Sequence, residues 1–319
     1  MSQKRCSFRR VWKDQINQFC DIWLQANNRA KKTVLAYRAD LTQFASQIPA
    51  SITPDLVSRA TIEEWVANLQ REQYAGNSIR RKLASLRAFF SYLVDLRLVT
   101  SSPLRELRIH VGGDRRLTRV VPPHDIRAII RKVDELANRR SAKGLTPLRR
   151  LLRCRNSLIV RLLCVTGIRV SELVSLTIDS VRQQERTLLI HGKGSRERLA
   201  FIADRTTAAL FDHYLKMRGR LFVDRMPLFT TVAGKSLTTE SIRHLLRIVG
   251  TAAGASSRVT PHMLRHTAAT ALLENGADLR IVQAFLGHGS IRSTERYTHV
   301  THRHLFRVLR RANPLKRIA

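Results

Sequence analysis

Acidic side chains are the main shortage in this 319-residue sequence: 24 Asp and Glu stand against 57 Lys and Arg, a formal net charge of +33. A solvated surface ordinarily mixes both signs, so an excess of this size calls for a polyanionic partner. Nucleic acid is the natural one, because each neutralised phosphate releases counterions. Packaging proteins of ribosomes or chromatin are generally shorter and lower in complexity, and here the basic residues are spread through amphipathic segments rather than gathered in tails. Cysteine is scarce too. Cys6, Cys20, Cys154 and Cys164 form no C-x-x-C pair, and their gaps suit neither a zinc site nor a disulfide framework. Reduced thiols follow, with Cys20 and Cys164 expected in the core. Long apolar runs are missing: the longest, Leu158 to Val165, is interrupted by Arg161 and falls well short of a membrane span. The N-terminus lacks the apolar run of a signal peptide, and no isolated basic amphipathic anchor stands out. A soluble, cytoplasmic protein is expected, associated with the nucleoid when bound to DNA, with no membrane partner.

What is present is globular. Hydrophobic residues make up 44% and charged residues 25% of a chain long enough for two domains. The first hundred or so residues read as four or five helices. Ile16, Phe19, Cys20 and Trp23 recur at helical spacing, as do Val34, Tyr37, Leu41 and Phe44. Thr61 followed by Glu64 reads as a capping box for a third helix. In the fourth, Ile79, Leu83, Leu86, Phe90 and Leu93 form the apolar stripe, and Arg80, Arg81, Lys82 and Arg87 occupy the remainder. On a lone helix such a face is simply solvated. In a chain at +33 it reads equally well as a face that tracks DNA phosphates. No aromatic platform for single strands accompanies it, so duplex is the better reading.

Gly112-Gly113, Arg115-Arg116 and Pro122-Pro123 mark a linker whose arginines can follow a DNA backbone. The expected division is a DNA-binding domain at 8–106, a linker at 107–118 and a second domain at 119–312. In the second domain, Ile126, Ile129, Ile130 and Val133 share a helical face, and a long helix from Leu151 ends at Thr166-Gly167. Arg169 follows that glycine break, where a rigid turn can hold its fork to grip a phosphate. Thr187–Ile190 and Arg198–Ile202 read as a hairpin with Lys193 at its tip. The surrounding Gly192-Lys193-Gly194 lacks the glycine spacing of a nucleotide-binding P-loop.

Between Thr260 and Val300 lie His262, Arg265, His266, His288, Tyr297 and His299. Thr260 and Pro261 suit a helix cap and first turn, which puts His262, Arg265 and His266 on one face. The His262–His266 spacing invites zinc. The zinc-protease helix needs Glu after its first His, however, and Met263 stands there with no third ligand evident, so metal is set aside.

Together TGIRVSEL, GKGSRERL, PHMLRHT, LGHGS and STERYTHV, in that order, resemble the tyrosine recombinases, the phage-integrase family that includes the bacterial Xer recombinases. The phrase NSIRRKLASLRAFFSYL is similar to that family's N-terminal domain, so the resemblance spans the whole chain. It implies a mainly α fold with a small β-hairpin or sheet: an N-terminal helical, SAM-like core-binding domain and a C-terminal mixed α/β catalytic domain. Nothing before residue 10 resembles an added arm-site domain, which points to a simple Xer-like architecture.

Carried over position by position, the resemblance implies six catalytic residues: Arg169, Lys193, His262, Arg265, His288 and the nucleophile Tyr297. Gly289, Arg296 and Arg196 depart from the commonest residues at their positions, and none of them removes a catalytic group. The chemistry implied is a 3′-phosphotyrosyl exchange without metal or cofactor, on double-stranded recombination sites held by a homotetramer. The basic run Arg303 to Lys316 is implied to dock on a neighbouring protomer. The rivals are a type IB topoisomerase and a DNA-binding regulator with an inactive site.

Overall fold

The computed structural model describes residues 2–107, 120–138, 145–192, 197–222, 227–287, 302–312 and 315. Lys193, His288, Tyr297, Arg115 and Arg116 lie outside the described residues, as does most of the expected linker. The chain divides into two compact units, Met1–Arg116 and Leu117–Ala319. The expected mainly helical architecture with a small sheet is the one found.

In the first unit, α1 (Ser2–Gln18) runs through a π turn at Phe19–Trp23 into the short α2 (Leu24–Ala26). Then come α3 (Lys31–Gln47), α4 (Arg59–Arg71) and α5 (Gly76–Asp95). Aromatic residues are only 6% of the chain, yet they gather here. Phe44 meets Trp65 edge-on at 5.0 Å and Trp12 at 5.6 Å. Each indole N–H, being buried, finds an acceptor: Trp12 donates to the Ile52 carbonyl and Trp65 to Gln47 Oε1. Leu107, the first residue of the expected linker, is buried in this core.

Two details differ from expectation. The cap of α4 is Ser58 rather than Thr61. Ser58 Oγ accepts from the Thr61 N–H at 3.2 Å, while Thr61 Oγ1 accepts from the Ser58 N–H at 3.4 Å. Ser58 has the extended ψ of 167° that a cap needs, and Thr61 is already inside the helix.

Lys82, expected among the DNA-facing cations, is only 5% exposed. Its face of α5 packs toward α3, where the buried Asp40 holds it. Lys82 Nζ donates to Asp40 Oδ1 at 3.1 Å, Ser85 Oγ donates to Oδ2 at 2.8 Å, and Arg81 joins from outside at 2.5 Å. Tyr74 lies under the ammonium at 5.3 Å. Lys82 therefore closes the α3–α5 contact, while Arg80, Arg81 and Arg87 are exposed.

In the second unit, α6 (Pro123–Asn138) and α7 (Pro147–Thr166) pack through Ile126, Ile129, Ile130, Leu158 and Leu162. Thr146 caps α7 and Pro147 sits in its first turn, where its missing N–H costs nothing. Residues Leu158 to Val165 are all buried, Arg161 among them. Arg161 is tolerated there because Asp134 on α6 takes its guanidinium.

After α8 (Val170–Ser175) comes an antiparallel sheet in the order β1 (Val181–Arg182), β2 (Thr187–His191), β3 (Glu197–Phe201). The hairpin was legible in the sequence and the two-residue β1 was not. Next follow α9 (Arg205–Gly219), α10 (Thr239–Ala252), α11 (Pro261–Glu274) and α12 (Leu279–Leu286).

The terminal helix α13 (His302–Arg311) lies on its own chain. Leu309 and Ala312 are buried with Ala268, Leu272, Val282 and Phe285, and Phe306 approaches Phe201 at 6.4 Å. The apolar seam between β3, α11 and α12 covers the helix within the single chain.

Replacing Asp40 with Ala strands Lys82 in the core without its counter-ion. The change is expected to lower the unfolding free energy by about 3–5 kcal/mol in denaturant titrations. A loss below about 1 kcal/mol, the scale of exposed pairs, contradicts this role for Asp40.

Candidate active site

Two left-handed glycine turns frame the site. Gly167 ends α7 with φ of 56°, and Gly287 ends α12 with φ of 65°. Both permit a backbone conformation that side chains with a Cβ resist. The packing is equally strict at the first: a Cβ on Gly167 would lie 2.8 Å from the Phe285 ring. The end of α7 and the end of α12 therefore touch.

Arg265 joins these ends. Thr260 caps α11 by accepting from the Met263 N–H, so the helix begins at Pro261 and brings Arg265 into its second turn, facing inward. Its Nη1 donates to the Gly167 carbonyl and its Nη2 to the Leu286 carbonyl, each at 2.5 Å. These are carbonyls that helix ends otherwise leave unpaired. Arg265 is only 6% exposed. Burial first, then repulsion from Arg169 and Arg198, depresses its pKa to about 10, with Glu172 pulling the other way.

Arg169 leaves the Gly167 turn as the cap residue of α8 and is 42% exposed. Its backbone N–H donates to Glu172 Oε2 at 2.9 Å and its Nη1 to Oε1 at 2.7 Å. Glu172 is buried, and its second partner is Arg198, whose Nη2 lies 2.7 Å from Oε2. Burial alone raises the Glu172 carboxyl. The Arg198 charge and the hydrogen bonds from both arginines outweigh it, and the group stays below the usual carboxylate range.

Of the residues expected at the site, Arg169 and Arg265 converge on the Gly167 turn. His262 is exposed on the first turn of α11, and His266 is half-buried on the same helix. Among the described residues no three His, Cys, Asp or Glu side chains converge as a metal ion requires. Among the described residues, the thiols of Cys20, Cys154 and Cys164 sit in apolar cores, with burial raising Cys154 to about 11 and Cys164 to about 12.

Arg198 was not singled out by sequence, although a signal was there. In the hairpin it pairs with Ile190, next to Ala200 opposite Leu188. Ile190, Leu188 and Ala200 are all buried, so alternation puts Arg198 on the interior face. A buried guanidinium then demands a carboxylate, and Glu172 is it. Three guanidiniums facing one carboxylate leave a cationic surplus that an anion relieves.

The chain matches known proteins in sequence and in fold. The model of the phage integrase family matches residues 121–304, and that of the phage integrase N-terminal SAM-like domain matches residues 16–96. The chain belongs to the phage integrase family and is a site-specific tyrosine recombinase acting on DNA.

It is 33% identical over 285 residues to a tyrosine recombinase of Agathobacter rectalis, covering 89% of this chain and 91% of that one. Tyrosine recombinase XerD of Listeria innocua is 31% identical over 310 residues, covering 94% of this chain and 99% of that one. Among solved structures, the post-cleavage complex of the XerH recombinase with palindromic difH substrate shares the fold. Its TM-score is 0.67 at 20% identity, over 92% of this chain and 82% of that one. Among the described residues no helix is long and apolar enough to cross a membrane.

The carboxylate makes stability depend on pH in a defined direction. Because the folded-state pKa of Glu172 lies below its unfolded value, its contribution is full above the usual carboxylate range and is lost as pH falls through the folded value. The melting temperature of wild-type protein should exceed that of Glu172→Gln by a constant margin from about pH 6 to 8, and the margin should shrink below about pH 4. A margin that grows on acidification contradicts the assignment.

Proposed function

We propose that the chain cuts and rejoins duplex DNA through a covalent 3′-phosphotyrosyl link at Tyr297. The observation that carries the reading is the meeting of Arg169 and Arg265 around the Gly167 turn, in a cluster with more positive than negative charge. Attack on a phosphodiester builds charge on its nonbridging oxygens. Two guanidiniums fixed beforehand stabilise that charge without reorganising during the step.

The Tyr297 oxygen bonds to phosphorus, and the bond to the 5′ oxygen breaks. The ordinary phenol pKa of about 10 means the proton must be drawn off, and His262 is the base proposed. Lys193 delivers a proton to the departing 5′ oxygen, and His288 donates to a phosphoryl oxygen. The energy of the broken ester is kept in the new one, so a 5′ hydroxyl from a second duplex reverses the reaction on a new partner.

Four copies on two duplexes complete strand exchange. In that assembly the basic terminal segment docks on a neighbour through the apolar side that the seam of β3, α11 and α12 covers in the single chain. The exposed Arg80, Arg81 and Arg87, together with Arg115 and Arg116, follow the DNA backbone. The reaction serves a mobile element or replicon resolution, and the surplus of basic residues fits the first of these.

Sequencing the DNA ends covalently attached to the protein in cells gives the site, and a nicked duplex carrying it then traps the intermediate. Tyr297→Phe should abolish the adduct and retain binding. An adduct that survives this change contradicts the nucleophile. Binding without any wild-type adduct favours an inactive regulator, and relaxation of plasmids lacking the site favours a topoisomerase.

Binding should also weaken steeply with salt. Neutralising Arg80 or Arg87 should flatten the log–log slope by about 0.9 each. Lys82→Met, altering a buried residue, should leave that slope unchanged. Equal effects from all three substitutions contradict the division of the α5 face.

A further inference from the structure

Arg198 bears no part in the chemistry proposed above, yet three elements meet on its side chain. It leaves β3 with only 14% of its side chain exposed. Its Nη2 holds Glu172 Oε2 on α8 at 2.7 Å, and its Nη1 holds the Phe285 carbonyl in the last turn of α12 at 3.1 Å. Its buried Nε has no hydrogen-bond partner among the described residues. The side chain also lies against the glycine that ends α12: a Cβ on Gly287 would stand 2.4 Å from Arg198 Cδ and 2.7 Å from Nε. The residue after Gly287 is His288.

We propose that Arg198 is a positioning residue for strand cleavage, sharing Glu172 with Arg169 and fixing the end of α12 from which the His288 segment departs. The assignment rests on the tyrosine-recombinase chemistry proposed above. A carboxylate with two guanidinium partners gives roughly one oxygen to each. With a single partner it can take a bidentate grip. Without Arg198, both oxygens of Glu172 turn to Arg169, and the charge that a phosphate needs is already neutralised. The turn at Gly287 loses its outer support at the same time. Lysine cannot replace the fork, because one ammonium cannot reach the Glu172 carboxylate and the Phe285 carbonyl in the same planar geometry.

The test uses the full-length protein and the nicked duplex carrying the captured site. Single-turnover adduct formation at saturating DNA is measured beside the Kd for the same duplex. Arg198→Met, which retains the apolar stem, should slow adduct formation by roughly 100-fold with little change in Kd, the scale of losing a fixed donor at a reacting phosphate. Arg198→Lys should recover part of that loss.

Adding Glu172→Gln to Arg198→Met should make the protein faster than Arg198→Met alone, because a neutral amide does not capture Arg169. If Arg198→Met fails to fold, Arg198→Lys with and without Glu172→Gln reads the same recovery. The proposal is overturned if cleavage is unchanged, if Kd and rate fall together, or if the second substitution only adds to the damage. A wild-type protein that forms no adduct on that duplex overturns the recombinase chemistry and this role with it, whereas normal adduct formation by Arg198→Met overturns this role alone.

Discussion

A buried guanidinium must direct its donors somewhere, and Arg265 directs two of them to the carbonyls of Gly167 and Leu286. Those carbonyls end two different helices, so one side chain sets the distance between α7 and α12. Glycine is required at both turns, by positive φ at each and by the close approach of Phe285 at Gly167. In sequence a further member of the expected site follows each turn, Arg169 two residues after Gly167 and His288 directly after Gly287. Moving Arg265 therefore disturbs more than its own charge.

The second constraint is electrostatic. Two guanidiniums, Arg169 and Arg198, share the buried Glu172 carboxylate, and the nearby Arg265 is depressed to about 10 by burial and by these cationic neighbours. A site of this kind is not fully neutral by itself, and the folded protein accepts that repulsion. The arrangement makes sense when the missing charge arrives with a ligand, and in the proposed chemistry that ligand is a DNA phosphodiester. The same surplus runs through the whole chain at +33, a charge that attracts a polyanion at long range. The Lys82–Asp40 pair shows the opposite use of charge: there the cation is matched inside the first unit and lost to the surface.

Much of this was legible in the sequence. The helices declared themselves because their apolar residues repeat with helical period, and α7 was bounded by a proline at its start and a glycine at its end. The hairpin followed from two β-rich runs about a glycine pair. Arg169, His262 and Arg265 emerged from motif order. Other features were not legible, for particular reasons. Ser58 and Thr61 both suit a cap, and only the backbone geometry decides between them. Lys82 and its arginine neighbours look alike until Asp40, far away in sequence, selects one for burial. Arg198 becomes an interior residue only when its pairing with Ile190 is known. An amphipathic terminal helix announces an apolar face without saying which surface covers it.

Which atom becomes bonded to DNA decides the proposed chemistry. Trypsin cleaves after Arg296 and Arg303, so Tyr297 falls in a short peptide that mass spectrometry can read after nuclease digestion of the trapped complex. This peptide should carry a nucleotide through its 3′ phosphate on the Tyr297 oxygen. A nucleotide attached to any other residue, or through a 5′ phosphate, contradicts the assignment of Tyr297 as nucleophile.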